Sequence, residues 1–248
     1  MTKPVKLRLD QLLVERGLAE SRTRAQALIL AGRVFAGERR LEKAGDQVPA
    51  DLALTVRSGE HHVSRGAHKL IAGLEAFAVD PTGLVCLDIG ASTGGFTEVL
   101  LRRGASRVYA VDVGYGQLDA RLRQDPRVIV RERVNARYLT AADVPEPIDL
   151  VVCDASFIPL RLVLPAGLAL TGPGAGLVAL IKPQFEVGKG QVGKGGVVRD
   201  PAQHAAVCAE VRGWLGGLPG WRVLGIAPSP LLGPAGNREF LIGARRVG

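Results

Sequence analysis

Cysteine is scarce in this 248-residue chain, which contains only Cys86, Cys153 and Cys208. Three widely spaced cysteines cannot form a disulfide framework or supply the ligand pattern of a zinc knuckle. Cys86 and Cys153 lie in apolar runs typical of buried strands, so we expect free thiols in a reducing compartment. This predicts a cytoplasmic protein.

The sequence also lacks an uninterrupted hydrophobic run. The charge-free stretch 162–181 spans 20 residues, but it contains Pro165 and the string Thr171-Gly-Pro-Gly-Ala-Gly. These breakers favour a buried helix, a turn and a buried strand over a helix that crosses a membrane. The first eight residues contain no apolar core of a secretion signal. We therefore expect neither export nor a membrane partner.

Acidic residues are outnumbered, with 24 Asp and Glu against 32 Lys and Arg, which gives a net charge of +8. The excess is uneven: +5 in residues 1–69, −2 in residues 70–181 and +5 in residues 182–248. Two basic flanks around a near-neutral centre predict that an anionic polymer contacts the ends while the centre holds a cofactor. Ordinary solubilising charge would give the same totals, so charge alone does not decide.

What the sequence does contain is a strand, a glycine-rich turn and a helix start within residues 84–103. Residues 84–89 form an apolar run that predicts a buried strand, Gly90 to Gly95 form the turn, and residues 96–103 continue at helical period. Glycines let a ligand approach the backbone closely, and the free N–H groups at a helix start favour anionic or polar groups. This predicts a place for a nucleotide-like ligand.

Two residues indicate which kind of ligand this is. The dinucleotide fingerprint G-x-G-x-x-G is broken at its second glycine, where this chain has Ser92. Asp112 ends the next strand-like run, 22 residues after Gly90, where a carboxylate can accept the ribose hydroxyls of a nucleoside. The alternative is an ordinary strand–turn–helix whose acid caps a loop. The spacing of Asp112 favours the nucleoside site.

Strand-like and helical runs alternate after residue 84, which predicts an α/β fold with a doubly wound, mostly parallel sheet. Ligands of such sheets bind at the carboxyl ends of the strands. Four charged residues occupy these ends: Asp88, Asp112, Asp154 and Lys182. Their convergence is the strongest indication of an active site that the residues give by themselves.

Two further residues extend this prediction. Asn135 follows the third strand, where a polar residue commonly faces the base of a nucleoside cofactor, although a turn-forming Asn explains the position equally well. Glu239 lies at the start of the last strand. If that strand runs antiparallel to its neighbours, Glu239 joins Asp154 and Lys182.

The glycine-rich segment 185–196 contains two misleading motifs. Gly188, Gly190 and Gly193 match G-x-G-x-x-G, and residues 188–194 match G-x-x-x-x-G-K, but Gly195 follows instead of the Ser or Thr that would hold Mg²⁺. Neither motif opens a helix directly, because the next helix starts after Asp200-Pro201. We interpret the segment as a mobile basic loop that covers substrate RNA, not as a kinase or NTPase site.

Residues 6–58 predict a unit of their own. Two short helices with apolar residues at helical spacing, the first of them starting at Lys6, end at Gly17 and Gly32. Ser21 caps the second, and two short β-like runs follow. This α+β pattern resembles the RNA-binding module named after small-subunit ribosomal protein S-four. The resemblance implies that basic side chains hold RNA phosphates, namely Arg8, Arg22, Arg24 and Arg33.

Over nearly its whole length the chain resembles the TlyA (hemolysin A) family of ribosomal RNA 2′-O-methyltransferases, relatives of the FtsJ-type RNA ribose methyltransferases. Five strings carry the resemblance: V-S-R-G-A-H-K-L from Val63, D-I-G-A-S-T-G-G-F-T-E from Asp88, D-V-G-Y-G-Q-L from Asp112, K-P-Q-F-E-V-G-K-G-Q-V-G from Lys182 and S-P-L-L-G-P-A-G-N-R-E from Ser229. It implies a Rossmann-like methyltransferase sheet, S-adenosylmethionine as methyl donor, and a cytidine ribose of ribosomal RNA as acceptor. The alternatives are a non-catalytic ribosome-assembly factor and a membrane-active hemolysin.

The resemblance also implies the site residues. A Lys–Asp–Lys–Glu catalytic set falls on Lys69, Asp154, Lys182 and Glu239. The implied cofactor-binding residues are Asp88, Gly90, Ala91, Ser92, Thr93, Gly94, Gly95, Phe96, Asp112, Val113, Asn135 and Asp154. Arg65 joins the RNA-binding arginines, and no metal site is expected.

The sequence thus predicts an RNA-binding domain over residues 1–59, a linker over 60–64 and a methyltransferase domain over 65–248. We expect a monomer whose partners are ribosomal RNA and ribosomal subunits. Lys182 is expected to contact the 2′-hydroxyl, with Asp154 and Glu239 orienting the two lysines. Which lysine accepts the proton stays open.

Overall fold

The computed structural model describes residues 6–30, 32–56, 62–188, 192–193 and 195–247. The chain divides into two compact units, Met1–His61 and His62–Gly248. Residues 60 and 61 of the predicted linker, and residues 189–191 and 194 of the predicted glycine-rich loop, lie outside the described residues.

The N-terminal unit packs two helices against two small antiparallel sheets. Its elements in chain order are β1 (Lys6–Arg8), α1 (Leu9–Glu15), α2 (Arg22–Leu30), β2 (Val34–Ala36), β3 (Arg39–Arg40), β4 (Gln47–Pro49) and β5 (Thr55–Val56). β1 pairs with β4, and β2 lies between β3 and β5. Leu9, Leu12 and Leu13 of α1 share one buried core with Ile29 of α2, as their helical spacing predicts.

The beginning of this unit differs from the sequence prediction, which placed residues 6–8 in the first helix. These residues pair with Gln47–Pro49 instead, and Arg8 has an extended backbone (φ −64°, ψ 140°), so the helix begins at Leu9. The predicted cap at Ser21 is confirmed, because its Oγ accepts a hydrogen bond from the Arg24 N–H at 3.2 Å. Arg24 is exposed, and Arg33 is half-buried directly before β2.

A buried carboxylate organises the surface of this unit. Asp10 is inaccessible to solvent, and its oxygens accept hydrogen bonds from Arg8 Nε at 3.0 Å, Arg22 Nη2 at 3.1 Å and Gln26 Nε2 at 2.9 Å. The hydrogen bond from Arg8, with help from Gln26 and Arg22, holds the pKa of Asp10 well below its usual range. Two of the arginines predicted to bind RNA are therefore positioned by one buried acid, while 41% and 54% of their side chains stay exposed.

The C-terminal unit is built on a seven-stranded sheet. Its elements are α3 (Gly66–Ala76), β6 (Val85–Ile89), α4 (Gly95–Arg102), β7 (Arg107–Asp112), α5 (Ala120–Gln124), β8 (Val128–Glu132), β9 (Ile148–Cys153), α6 (Leu160–Ala169), β10 (Thr171–Ile181), α7 (Pro183–Glu186), α8 (Pro201–Gly216), β11 (Trp221–Pro228) and β12 (Phe240–Arg246). The strand order is β11-β12-β10-β9-β6-β7-β8. The five strands β6 to β10 run parallel, and β12 runs antiparallel between β10 and β11. The predicted doubly wound, mostly parallel sheet is confirmed.

Helices cover both faces of this sheet, and successive residues of each strand enter opposite cores. In β6, Cys86 packs in the core with residues of α3 and α4, whereas Leu87 and Ile89 pack in the core with residues of α6 and α8. A parallel strand that is buried on both faces is apolar throughout, which is why residues 84–89 read as a hydrophobic run. Cys86 and Cys153 are buried free thiols, as predicted, and Cys208 is half-buried on α8.

The charge-free segment 162–181 forms the predicted helix and strand, but not the separate turn. The string that begins at Thr171 belongs to β10, in which Thr171 pairs with Ile148 and Gly176 pairs with Leu150. The shift in register leaves residues 172–175 in a bulge, where Pro173 needs no ladder N–H. Among the described residues, no helix is both long and apolar enough to cross a membrane.

The buried acid of the N-terminal unit generates a stability prediction. Replacing Asp10 with Ala leaves Arg8, Arg22 and Gln26 without their common acceptor, so we expect a loss of about 1–3 kcal/mol in the free energy of unfolding of this unit. Amide hydrogen exchange of residues in α1 and α2, in the full chain, measures this loss. Glu42→Ala, which breaks an exposed pair with Arg40, is the control and should cost much less, because solvent screens an exposed ion pair. Equal effects of the two substitutions would contradict the role given to Asp10.

Candidate active site

The turn after β6 takes left-handed backbone conformations at three of its residues. Gly90 has φ 83°, Ser92 has φ 48° and Gly94 has φ 96°. A Cβ atom on Gly90 would lie 2.9 Å from the backbone nitrogen of Ala155, so the turn touches the segment after β9. Ser92, which replaces the second glycine of the dinucleotide fingerprint, adopts a conformation that glycine usually supplies. The turn is therefore compact and close to the neighbouring strand end.

Asp112 fixes this turn to the end of β7. Its Oδ2 accepts a hydrogen bond from the Ser92 N–H at 2.8 Å, and its Oδ1 accepts one from the Gly114 N–H at 2.7 Å. A carboxylate oxygen has two lone pairs, so each oxygen can accept one further hydrogen bond. Asp112 can thus hold the backbone and a ligand hydroxyl at the same time.

A cavity of about 440 Å³, the glycine-turn cavity, opens beside this carboxylate. Ile89, Val111, Val134, Ile158 and Val163 give it apolar walls. Six residues of the predicted cofactor set line it: Gly90, Ser92, Asp112, Val113, Asn135 and Asp154. An apolar wall with a few convergent polar groups is typical of a small-molecule site.

Asn135 forms a turn, which is one of the two interpretations that the sequence left open. Its side-chain oxygen accepts a hydrogen bond from the Arg137 N–H at 3.1 Å, and so caps the 3₁₀ turn Ala136–Tyr138. The residue also lines the glycine-turn cavity. It holds the turn in place at the edge of the cavity wall.

A second cavity of about 260 Å³, the lysine cavity, lies next to the first. Both lysines of the predicted catalytic set, Lys69 and Lys182, line it, together with Arg65. Four other residues of the predicted cofactor set also line it: Ala91, Thr93, Gly95 and Phe96. The two cavities share three lining residues, Ser92, Asp154 and Ser156. They therefore adjoin at the carboxyl ends of β6 and β9.

Lys182 is held at this junction by three oxygen atoms. Its Nζ lies 2.6 Å from Asp154 Oδ1, 3.0 Å from the Asp154 carbonyl oxygen and 2.9 Å from Ser156 Oγ. The contacts to the Asp154 carbonyl oxygen and to Ser156 Oγ are hydrogen bonds, whereas the contact to Asp154 Oδ1 is an ion pair without hydrogen-bond geometry. One of the three N–H donors of the ammonium therefore has no acceptor among the described residues. Lys182 is 6% exposed, so it is a buried lysine paired with a carboxylate and anchored by two hydrogen bonds.

Lys69 and Glu239 form a second buried pair on the other side of the lysine cavity. Lys69 Nζ lies 2.6 Å from Glu239 Oε2, and the residues are 8% and 1% exposed. The predicted antiparallel direction of the last strand is confirmed, because Phe240 pairs with Ile181. Glu239 precedes Phe240 and Lys182 follows Ile181, so these two residues are neighbours at the carboxyl ends of the parallel strands. All four predicted catalytic residues come together here.

Two residues of the predicted cofactor set lie behind the cavity walls instead. Asp88 is fully buried beneath the turn, where its Oδ2 accepts a hydrogen bond from Thr97 Oγ1 at 2.7 Å. Burial raises the pKa of Asp88 to about 7. A Cβ atom on Gly94 would meet Leu118 and Leu122, so this glycine packs against α5 and the segment just before it. Both residues shape the turn from within and line neither cavity.

The segment after residue 61 is more ordered than the predicted linker implied. The Val63 N–H donates a hydrogen bond to Glu98 Oε2 at 2.8 Å, and His62 Nδ1 lies 3.2 Å from the same oxygen. Glu98 belongs to α4, the helix that begins at the glycine turn. A Cβ atom on Gly95 would lie 2.8 Å from Ser64 Cβ. Residues 62–64 therefore pack on the start of α4 as part of the C-terminal unit.

Sequence reasoning missed two contributors to the site. Ser156 Oγ accepts a hydrogen bond from Lys182, and Ser156 lines both cavities. The sequence offered one signal for it, since Ser156 is a polar residue two positions after Asp154. Phe157, at φ 65° and 89% exposed, lines the glycine-turn cavity with its ring centroid 4.9 Å from that of Phe185. Its conformation carries no sequence signal, because bulky residues rarely adopt it.

In the part of the chain that is described, no cluster of His, Cys, Asp and Glu side chains could hold a metal ion.

Asp88 generates a prediction about pH. Because its pKa in the folded chain lies above the unfolded value, the unfolded state loses its proton first, and stability falls as pH rises from about 4 to about 7. Asp88→Asn should remove roughly 4 kcal/mol of this fall. Urea unfolding at a series of pH values measures it. Glu75→Gln, an exposed carboxylate change on α3, should leave the profile unaltered, and a profile equally unaltered in Asp88→Asn would contradict the assignment.

Comparison with known proteins agrees with this geometry. Residues 62–246 match the model of the FtsJ-like methyltransferase family, and residues 7–52 match that of the S4 domain. The 16S/23S rRNA (cytidine-2′-O)-methyltransferase TlyA of Mycobacterium tuberculosis is 52% identical over 240 residues, which cover 96% of this chain and 89% of the relative. Hemolysin A of Brachyspira hyodysenteriae is 36% identical over 95% of this chain and 98% of its own.

A solved structure from Streptococcus thermophilus, which carries a hemolysin description, superposes with a TM-score of 0.74 at 39% identity. The match covers 99% of this chain and 90% of that one. The chain therefore belongs to the FtsJ-like methyltransferase family, in the TlyA (hemolysin A) group whose N-terminal part is an S4 domain.

Proposed function

We propose that this protein transfers a methyl group from S-adenosylmethionine to the ribose 2′-hydroxyl of a cytidine in ribosomal RNA. One observation supports this most directly: the glycine-turn cavity and the lysine cavity adjoin at Asp154 and Ser156, where Lys182 is anchored. A methyl donor in one cavity and a ribose in the other would meet at that junction. The M. tuberculosis relative bears the name of this activity.

The glycine-turn cavity has the chemistry that the donor requires. Its apolar wall suits an adenine ring, and Asp112 retains lone pairs for ribose hydroxyls. S-adenosylmethionine carries no phosphate, which agrees with a serine at the position where a dinucleotide fold needs its second glycine. When bound, S-adenosylmethionine supplies a methyl group that is activated by a positively charged sulfur. Asp154 lies where a carboxylate would face that charge.

The lysine cavity has the chemistry that a weak nucleophile requires. A 2′-hydroxyl becomes reactive as it loses its proton, and negative charge then develops on its oxygen. The proton would pass to one of the two lysines, Lys69 or Lys182, in its neutral form, and the other, as an ammonium, would stabilise the developing charge in a site with little water, since both residues are at most 8% exposed. Glu239 contacts Lys69 and Asp154 contacts Lys182, so the two carboxylates would keep both lysines in place. The oxygen would form its bond to the methyl carbon as the carbon–sulfur bond breaks in line with it, and S-adenosylhomocysteine would leave.

Lys182 has one N–H donor left for the 2′-hydroxyl. Its Nζ donates hydrogen bonds to the Asp154 carbonyl oxygen and to Ser156 Oγ, and it contacts Asp154 Oδ1 only as an ion pair. We infer that this third N–H contacts the ribose oxygen while Asp154 and Ser156 keep the orientation of Lys182.

The N-terminal unit would deliver the RNA. Arg8 and Arg22 are held by Asp10 with about half of each side chain exposed, and Arg24 is exposed on α2. Guanidinium groups held in place can contact phosphates without reading the sequence. We propose that the protein acts as a monomer on ribosomal RNA in the cytoplasm, where this RNA is assembled into subunits.

Methyl transfer from labelled S-adenosylmethionine to bacterial ribosomal subunits that lack 2′-O-methylcytidine tests the proposal, with small and large subunits assayed separately. We expect label in RNA that resists alkali at a single ribose. Label in a base, or no label on either subunit despite measurable donor binding, would contradict the proposed reaction and favour a non-catalytic assembly role.

Lys182→Met tests the role of the junction lysine. It keeps the length of the side chain but removes the charge, so kcat should fall by about 1,000-fold while the Kd for S-adenosylmethionine changes less than about threefold. Lys43→Met, the same substitution at an exposed lysine of the N-terminal unit, should leave kcat unchanged. Loss of donor binding in Lys182→Met would instead place Lys182 in the donor site.

A further inference from the structure

A third depression, the arginine cavity, lies on the face of the sheet that α8 covers. It has a volume of about 560 Å³ and is formed by the start of α8, the end of β11 and the start of β12. Its lining shares no residue with the glycine-turn cavity or the lysine cavity. It is a separate feature of the C-terminal unit.

The lining of this cavity combines positive charge with an apolar floor. Arg199 and Arg238 line it and are exposed, while Ile226 and Phe240 contribute apolar surface. Within the described residues, neither guanidinium has an ion-pair partner, and the lining contains no carboxylate. Many other arginines of this unit are neutralised, for example Arg123 by Glu132 and Arg161 by Glu210. Two unneutralised arginines at one cavity favour an anionic occupant.

The backbone on which these two arginines stand is rigid. The side-chain oxygen of Asn237, which is 3% exposed, accepts a hydrogen bond from the Val198 N–H at 3.0 Å. The Val198 carbonyl oxygen lies 2.9 Å from His204 Nε2 of α8. Arg199 follows Val198, and Arg238 follows Asn237, so a direct hydrogen bond joins their neighbours. This arrangement fixes the backbone positions of the two arginines relative to each other, which lowers the entropy cost of bringing both to one ligand.

The cavity is also adjacent to the proposed reaction site. Arg238 immediately precedes Glu239, whose carboxylate contacts Lys69 of α3, while Arg238 lines the cavity together with Pro201 and His204 of α8. Consecutive residues of an extended segment point to opposite faces. The segment at the start of β12 therefore contributes Arg238 to the arginine cavity and, through Glu239, contacts Lys69 of the lysine cavity.

We propose that the arginine cavity binds a nucleotide of the RNA strand that flanks the acceptor nucleotide. Arg199 and Arg238 hold its phosphate, and its base lies on the apolar floor beside Phe240. The acceptor nucleotide then enters the lysine cavity from the other side of Glu239. This inference rests on the proposed function, since it assumes an RNA strand at the site.

The test compares three double variants of the full-length protein. Arg199→Gln/Arg238→Gln removes the two charges, and Arg199→Lys/Arg238→Lys retains them. Arg222→Gln/Arg245→Gln removes two exposed arginines that line a different depression, at the opposite end of the sheet. The probe is deproteinised bacterial ribosomal RNA without 2′-O-methylcytidine, and its binding is measured by filter retention without the methyl donor. Unfolding midpoints confirm that all variants fold.

We expect Arg199→Gln/Arg238→Gln to raise the Kd for this RNA about 10-fold and to reduce the slope of log Kd against log salt by about 1. The Lys variant should stay within about threefold of the native protein, because it keeps the charge. Where methyl transfer is active, KM for RNA should rise while kcat and donor binding stay unchanged.

Two results would overturn the inference. An equal loss in Arg222→Gln/Arg245→Gln would show general attraction to a basic protein. A loss that occurs with assembled subunits and not with deproteinised RNA would identify a protein as the occupant. Failure of the proposed function looks different, because the native protein would then bind RNA and transfer no methyl group, while the binding comparison would still decide the role of the cavity.

Discussion

The contact of the Lys182 ammonium with Asp154 and Ser156 joins the parts of the site that have to work together. Lys182 follows β10, whereas the three oxygens that contact its Nζ lie in the segment that follows β9. A buried ammonium is costly unless its hydrogen bonds are complete, so the position of this lysine depends on the segment that accepts them. That segment also lines both cavities and touches the glycine turn at Gly90. One charged contact thus fixes the junction of the proposed donor and acceptor sites.

The order of the strands explains why the site lies where it does. β6 lies between β7 and β9, so the chain leaves it toward one side of the sheet and later returns to the other. Crevices form at such switch points, outside the carboxyl ends of parallel strands. Because β12 runs antiparallel, its first residue and the preceding Glu239 lie at the carboxyl ends of the parallel strands. This direction places Glu239 in contact with Lys69.

Much of this arrangement was predictable from sequence, for identifiable reasons. Strands buried on both faces produce apolar runs, and the residues that follow them mark the carboxyl edge, so Asp112, Asp154 and Lys182 could be placed together. Glu239 was predicted to join Asp154 and Lys182 if the last strand ran antiparallel to its neighbours, and that direction is confirmed. These features are local in sequence or follow from one topological rule.

Other features depend on contacts between distant residues and have no local signal. The burial of Asp10 requires Arg22 and Gln26, which come 12 and 16 residues later. The extension of β10 back to Thr171 depends on the pairing of Thr171 with Ile148 of β9, which carries the strand across the bulge of residues 172–175. Asp88 ends a strand like the other three charged residues, but its side chain turns under the glycine turn toward Thr97. Sequence position gives the strand end, and packing decides the direction of the side chain.

The central claim is that the two adjoining cavities divide the donor from the acceptor at Asp154. A crystal structure with S-adenosylhomocysteine, in which the sulfur is located by its anomalous signal, tests this division most directly. The account predicts the adenosyl group in the glycine-turn cavity with its ribose on Asp112, and the sulfur at the junction beside Asp154 and Ser156. An adenosyl group in the lysine cavity, or a sulfur remote from Lys182, would contradict the account.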